Sequence, residues 1–396
     1  MEKKIKVLRI INRFNLGGPT YNATFLSAFL SDRFETKLIG GKHEEYEGGS
    51  LFIPHKYGVE PEIIESLQRE IDFKKDKQAY QEIRKIIQDF KPDIVHTHAS
   101  KSGAIGRLAA SKENVPVIIH TFHGHVFHSY FGKLKTLFYK KVERHLAKKS
   151  SVVITISDIQ KDELENIHKI IPNNKAKVIN LGFDLTKFQT NQQKKRLDFI
   201  KAYNIKENEI CIGIIGRLTD IKNHQMFFDV IEDVINQTSK QIRAFIIGGG
   251  ELEEDLKKRA TQIERNYGES VFTFTSWIKD VDIPLARLDV VCLTSHNEGT
   301  PVSLIEAQAA NVVVMSTNVG GVKDVVNVNN TGFVLDDFSV KKYAQKLLEL
   351  IENEEKRKKM SQNGWDYVKN KFHYTRLCSE VEKLYLELLN INKDES

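Results

Sequence analysis

Cysteine is nearly absent. The 396 residues hold three (Cys211, Cys292, Cys378), an odd number and far apart. This excludes a disulfide framework and predicts buried thiols in a reducing compartment, since two of the three stand in apolar, strand-like runs. Long hydrophobic runs are also lacking. No stretch approaches the ~18 apolar residues needed to cross a bilayer, and the opening MEKKIKVLRIINRF is too short in apolar residues for a signal peptide. A cytoplasmic protein is therefore expected. Repeats and low-complexity tracts are missing too. Strong charge of either sign is lacking: a net +6 permits acidic partners without demanding nucleic acid. What remains is 40% hydrophobic and 28% charged, a globular composition, with length enough for two domains that each bury a core.

The most informative stretch runs from Val290 to Ala310, VVCLTSHNEGTPVSLIEAQAA. An apolar run gives way to Gly299-Thr300-Pro301 and then to a helical pattern with Leu304, Ala307 and Ala310 on one face. The spacing predicts strand, tight loop and helix, with Thr300 as N-cap and Pro301 at the first helical position. Glu298 and Glu306 flank the turn. A helix opening there directs free N–H groups at an anionic ligand such as a diphosphate. The two carboxylates suit hydroxyl-rich groups at its ends.

The same strand–loop–helix alternation fills the chain. Lys6–Ile11 reads as an opening strand that runs into Gly17-Gly18 and a helix from about Tyr21 to Leu30. Phe34–Ile39 reads as a strand, Gln78–Phe90 as a helix, and Asp93–His96 as a strand entering the loop His98–Gly103 before the helix Ala104–Ala110. Val117–Ile119 leads to His123, His125 and His128, whose spacing, with no Cys, Asp or Glu nearby, fits no common zinc pattern. Their place after a strand favours a sugar or proton-handling role. Phe131–Lys149 is an amphipathic helix with an apolar stripe of Leu134, Leu137, Phe138, Val142 and Leu146. Its seven Lys/Arg stand against the single acid Glu143. It reads as a surface helix on its own domain's core, with a membrane-surface helix as the alternative. In the second half, a strand from Glu209 to Ile215 ends at Gly216-Arg217, and Lys222 follows before the next helix. Two cations there suit a diphosphate. Ala244–Ile247 enters Gly248-Gly249-Gly250, and Phe272–Thr275 leads to Trp277-Ile278. Asp280-Val281-Asp282 is formally an Asp-x-Asp, but it runs into Pro284 rather than ending a hydrophobic strand.

Glu298 and Glu306, with seven residues between them in NEGTPVSLIEAQAA, resemble the Glu-x7-Glu motif of family 4 retaining glycosyltransferases. Other elements match that family in order: Thr121-x-His123-Gly124, Asn180–Phe188, Gly216-Arg217 with Lys222, the Gly248–Gly250 turn, and Val319-Gly320-Gly321 with Asp324. The family's Gly-x-Pro-Val after the helix is replaced by Asn311-Val312-Val313-Val314. The resemblance implies a GT-B fold: two doubly wound, Rossmann-like α/β domains facing across a cleft. Residues 1–188 would form an acceptor domain, with 374–396 packing back on it, and 189–373 a nucleotide-sugar domain.

It further implies transfer of a sugar from a nucleotide-sugar, UDP-linked, to a glycan or lipid-linked acceptor in polysaccharide or glycoconjugate biosynthesis. Arg217, Lys222 and the helix start (Thr300, Pro301, Val302, Ser303, Leu304) would hold the diphosphate. Glu306 would take the ribose, and Glu298 with Gly299 and Thr300 the sugar, which His123 would position. Gly17, Gly18, Gly216, Gly249 and Ile278 would line the donor site. No metal or other cofactor is expected, because two cations and a helix end already supply positive charge. No nucleophile is evident on the sugar's other face, which favours front-face departure. Two other readings remain: a sugar-nucleotide epimerase on the same fold, and a non-catalytic sugar-nucleotide binder.

Overall fold

The computed structural model describes residues 3–15, 18–42, 49–68, 70–123 and 133–390; of 133–135 only the helical backbone is described. Two compact units result, one of residues 1–183 with 372–396 and the other of 184–371. Expectation placed the crossings at 188 and 373. They fall earlier because the chain leaves and returns at one point. The Phe183 N–H donates to the Phe372 carbonyl at 2.8 Å, and the Tyr374 N–H donates back to the Phe183 carbonyl at 3.1 Å.

The first domain is a seven-stranded sheet: β1 (Ile5–Arg13), β2 (Phe34–Gly41), β3 (Glu62–Ile63), β4 (Ile94–His98), β5 (Val117–Thr121), β6 (Val152–Thr155) and β7 (Ala176–Val178). Its order is β3-β2-β1-β4-β5-β6-β7, with every pairing parallel. Parallel strands are buried on both faces, so their sequences run apolar rather than alternating. Leu8 and Ile10 of β1 meet the helices Phe73–Phe90 and Ser100–Lys112 on one face through Ile83, Ile87 and Ala109. Val7 faces the other way, against Phe25 and the C-terminal helix Tyr374–Leu388, which contributes Leu377, Val381, Leu384 and Tyr385.

The helix Phe73–Phe90 starts five residues before the expected Gln78. Asp72 caps it, its carboxylate accepting from the N–H groups of Lys74 and Lys75 at 2.9 and 3.0 Å. The first turn carries no apolar periodicity, so pattern alone misses it.

The second domain is a six-stranded parallel sheet: β8 (Glu209–Ile215), β9 (Gln241–Ile247), β10 (Phe272–Ser276), β11 (Val290–Leu293), β12 (Val313–Thr317) and β13 (Gly332–Leu335). The order is β10-β9-β8-β11-β12-β13. The winding reverses between β8 and β11, the crevice where such sheets take ligands at their carboxyl ends. All four residues of β11 are buried, and all three cysteines are free and buried.

The basic helix Lys133–Lys149 departs from the reading as a simple core-packed stripe. Leu146 and Ala147 are buried, and Glu143 is buried against Arg107, with Oε2 2.7 Å from the guanidinium. Leu137 and Phe138 are instead 61% and 64% exposed. Among the described residues no helix is long and apolar enough to cross a membrane.

Candidate functional site

At the carboxyl edge of the second sheet the loops after β8, β9, β11 and β12 are stitched together by backbone contacts that only glycine permits. Gly248 has φ +147°, and a Cβ on it would stand 1.9 Å from the Gly216 carbonyl oxygen. Gly320, at φ +52°, would place a Cβ 1.7 Å from the Glu298 carbonyl oxygen. These close approaches seat the Gly216-Arg217 turn under β9 and press the Glu298 loop against the β12 turn. Gly249 faces the Trp277 indole, and a Cβ on it would stand 3.1 Å from the indole nitrogen. Trp277 itself is 63% exposed, and the neighbouring Ile278 is half-buried.

Lys222 sits on the single turn Asp220–Lys222, its stem beside Gly216, and its ammonium lies 2.6 Å from Oε1 of Glu298. The Ser295 hydroxyl donates to the same oxygen at 2.6 Å. Sequence reasoning proposed the two charged residues but not their pairing, nor Ser295, because the partners come from separate loops. Arg217 is exposed and has no side-chain partner among the described residues.

The helix after this loop begins one residue later than expected. It spans Val302–Ala309, and its N-cap is Pro301 with no side-chain cap bond, so Thr300 lies outside it. Proline at this position blocks any earlier start, because it biases Thr300 to extended backbone. Leu304 is fully buried and its N–H donates to the Pro301 carbonyl at 3.1 Å, which removes it from the anion-binding set. The N–H groups of Val302 and Ser303 remain at the open helix end beyond Gly299.

Glu306 lies half-buried further along this helix. Burial pushes its pKa up to about 7; Lys187 opposes the rise and Asp282 adds to it. Asp282, the second acid of the Asp-x-Asp, is buried and held by Lys195 at 2.8 Å and Lys187 at 3.7 Å. It thus anchors the start of the domain to its own short helix. No group of three His, Cys, Asp or Glu residues among the described residues is arranged to hold a metal ion.

The remaining expected residues belong to the first domain. Gly18 opens the helix Gly18–Ala28; Gly17, His125 and His128 lie outside the described residues. His123 follows β5 and is half-buried, and burial pushes its pKa down to about 4. It meets His98 at the end of β4, which the sequence reading passed over. The His96-x-His98 spacing on a strand, two side chains on one face, was the available signal. His120 points the other way, with Nδ1 2.9 Å from the Thr97 hydroxyl.

Comparison with known proteins agrees with this arrangement. The model described as Glycosyltransferase Family 4 matches residues 22–187, and that for Glycosyl transferases group 1 matches residues 195–366. The UDP-Gal:alpha-D-GlcNAc-diphosphoundecaprenol alpha-1,3-galactosyltransferase of Escherichia coli is 29% identical over 332 residues, 84% of each chain. The capsular polysaccharide biosynthesis glycosyltransferase CapM of Staphylococcus aureus is 29% identical over 315 residues, 74% of this chain and 77% of that one. Among solved structures, a glycosyltransferase from Rickettsia africae superposes with a TM-score of 0.81 at 19% identity, covering 99% of this chain and 100% of that one. Anabaena Alr3699/HepE in complex with UDP gives 0.79 at 17% identity, covering 97% and 100%. With the two halves matched in order and the two parallel sheets in place, the chain belongs to glycosyltransferase family 4.

Proposed function

We propose that this glycosyltransferase moves a sugar from a UDP-linked donor to a lipid-linked or glycan acceptor, with retention at the anomeric carbon and without a divalent cation. The observation that carries the reading is the gathering of Arg217, the Lys222–Glu298 pair and the open helix end at Val302 on the sheet edge where β8 and β11 diverge. An ammonium has three N–H donors and a carboxylate about four acceptor sites. A diphosphate and a sugar hydroxyl can therefore join the pair rather than break it.

Arg217, Lys222 and the Val302 and Ser303 N–H groups hold the diphosphate and stabilise the charge that grows on it as the bond to the sugar breaks. Glu298 accepts from sugar hydroxyls beside Gly299 and Thr300, Glu306 accepts from the ribose, and His123 positions the sugar. The relatives named for UDP-galactose transfer to a diphospholipid and for capsule synthesis support this choice of donor and acceptor. The exposed Leu137 and Phe138, on a helix with Lys140, Lys141, Lys148 and Lys149, suit contact with an anionic membrane surface, where a lipid-linked acceptor resides.

The test is a mass-spectrometric panel of UDP-, GDP- and ADP-sugars with GlcNAc-diphosphoundecaprenol as acceptor, run in excess EDTA. Transfer from a UDP-sugar is expected, with Glu298→Gln binding UDP yet losing turnover by at least about a hundredfold, the scale of one lost electrostatic contact in the transition state. Activity that needs Mg²⁺ or Mn²⁺, or a fully active Glu298→Gln, contradicts the reading. An isomerised donor sugar formed without acceptor would favour the epimerase alternative.

A further inference from the structure

His98 and His123 meet ring to ring. Nδ1 of His98 lies 2.9 Å from Nε2 of His123, and the rings meet edge to edge, with centroids 5.2 Å and planes 28° apart. On its other side His98 stacks on His96 at 4.4 Å. The protonation of His96 follows from its partners. A guanidinium can only donate, and that of Arg9 reaches Nδ1 of His96 at 3.0 Å, so this nitrogen carries a lone pair. Full burial, with the Arg9 charge beside it, keeps the ring neutral by holding its pKa well below the usual range. The proton is then on Nε2, which donates to the Thr121 hydroxyl at 2.7 Å. Tyr385, from the C-terminal helix, accepts from Arg9 at 3.1 Å and donates to Nδ1 of His96 at 2.6 Å.

His98 is fully enclosed as well, and burial first, then the neighbouring His96, His123 and Arg9, keeps it neutral. Two neutral rings facing nitrogen to nitrogen leave two arrangements. Either His98 donates from Nδ1, or His123 donates from Nε2. In both, the far nitrogens, Nε2 of His98 and Nδ1 of His123, have no partner among the described residues. Both arrangements strand one N–H and one lone pair on these two buried nitrogens: the second leaves the N–H on the fully enclosed His98, the first on the half-buried His123. Among buried backbone groups the N–H without an acceptor is the rarer orphan, and the first arrangement is selected because a sugar oxygen at His123 can accept the stranded N–H, whereas the fully enclosed His98 has no such acceptor to gain.

We propose that His98 is a positioning residue: its Nδ1–H donates to Nε2 of His123, orients that ring and fixes its proton on Nδ1. Any polar contact that His123 makes with substrate is then made as a neutral N–H donor, suited to a sugar oxygen. The choice of donor rests on the placement of His123 at the sugar in the reading above; the His98–His123 contact itself does not.

Two measurements test it. In the full chain labelled with ¹⁵N-histidine, long-range ¹H–¹⁵N spectra, with His123→Ala to identify the signal, should show His123 protonated at Nδ1 and bare at Nε2. Protonation at Nε2 would overturn the proposal. In kinetics with the UDP-sugar turned over in the donor panel, His98→Leu should lower kcat about tenfold or more, the worth of one hydrogen bond, with UDP affinity unchanged by calorimetry. His98→Asn, whose amide N–H can stand near Nδ1, should recover most of the rate. His98→Leu should cost nothing further in a His123→Ala background. Equal defects in the Leu and Asn variants, or additive losses, would reduce His98 to packing and overturn the proposal. Full activity in His123→Ala would instead overturn the placement of His123 at the sugar, while the spectra would still decide the His98 contact.

Discussion

Glu306 is a carboxyl group that burial has made hard to ionise. With its pKa raised to about 7 by burial, it is largely protonated below neutrality. The unfolded chain ionises it near the ordinary 4.5, so the folded state holds the extra proton between these values. Its contribution to stability is therefore fully present below about 4.5 and lost as pH rises through about 7. Accepting two ribose hydroxyls favours the carboxylate, so UDP binding should release a proton in the same window. Calorimetry is expected to show affinity for the UDP-sugar, whose diphosphate has no ionisation of its own in this range, falling as pH drops from 8 to 6, about tenfold per pH unit at the low end, the limit for one proton. In Glu306→Gln that slope should vanish. A flat profile in the unsubstituted chain would remove Glu306 from the ribose. The residue was legible in the Glu-x7-Glu spacing, but its altered acidity was not. Asp282 comes from a short helix 24 residues earlier, and the Lys187 and Lys195 charges that meet it come from more than a hundred residues earlier.

At the scale of elements, strands were the most legible, because a strand buried on both faces announces itself as an apolar run. Helix starts were less so. Phe73–Phe90 begins in a polar turn whose only signal is the Asp72 cap, and Val302–Ala309 begins at a proline that supplies no cap at all. The replacement of the family's glycine by Asn311 has a structural explanation. Asn311 follows the helix at φ +57°, a left-handed position that asparagine tolerates better than other side chains. The β12 turn carries the sharper prediction. In Gly320→Ala the new methyl collides with the Glu298 carbonyl in a backbone already at positive φ, a strain of about 1–3 kcal/mol. The melting temperature should fall, and turnover should fall further than UDP affinity, because the Glu298 loop must move. Unchanged turnover together with an unchanged melting temperature would mean that the turn does not seat Glu298.

The two-domain plan was legible from the restart of α/β alternation after the polar run at 189–195, and the crossings were misplaced by only a few residues. What the sequence cannot display is the return of Tyr374–Leu388 to the first domain, a contact with strands more than two hundred residues earlier. That helix buries Leu377, Val381, Leu384, Tyr385 and Leu386. Each such side chain is worth about 1.5–3 kcal/mol, against a net domain stability of about 5–15 kcal/mol. Deleting residues 374–396 should therefore abolish cooperative melting of the first domain while the second still binds UDP. A truncated chain with an intact first-domain transition would contradict that packing.

For the molecule as a transferase the central claim is retention, and one measurement reaches it most directly. The glycoside formed from an α-linked UDP-sugar in EDTA, with GlcNAc-diphosphoundecaprenol as acceptor, can be examined by proton NMR at its new anomeric centre. The small coupling constant of an α-linkage is expected for a gluco- or galacto-configured sugar. The large coupling of a β-linkage would show inversion and contradict the roles given to Glu298, Lys222 and His123.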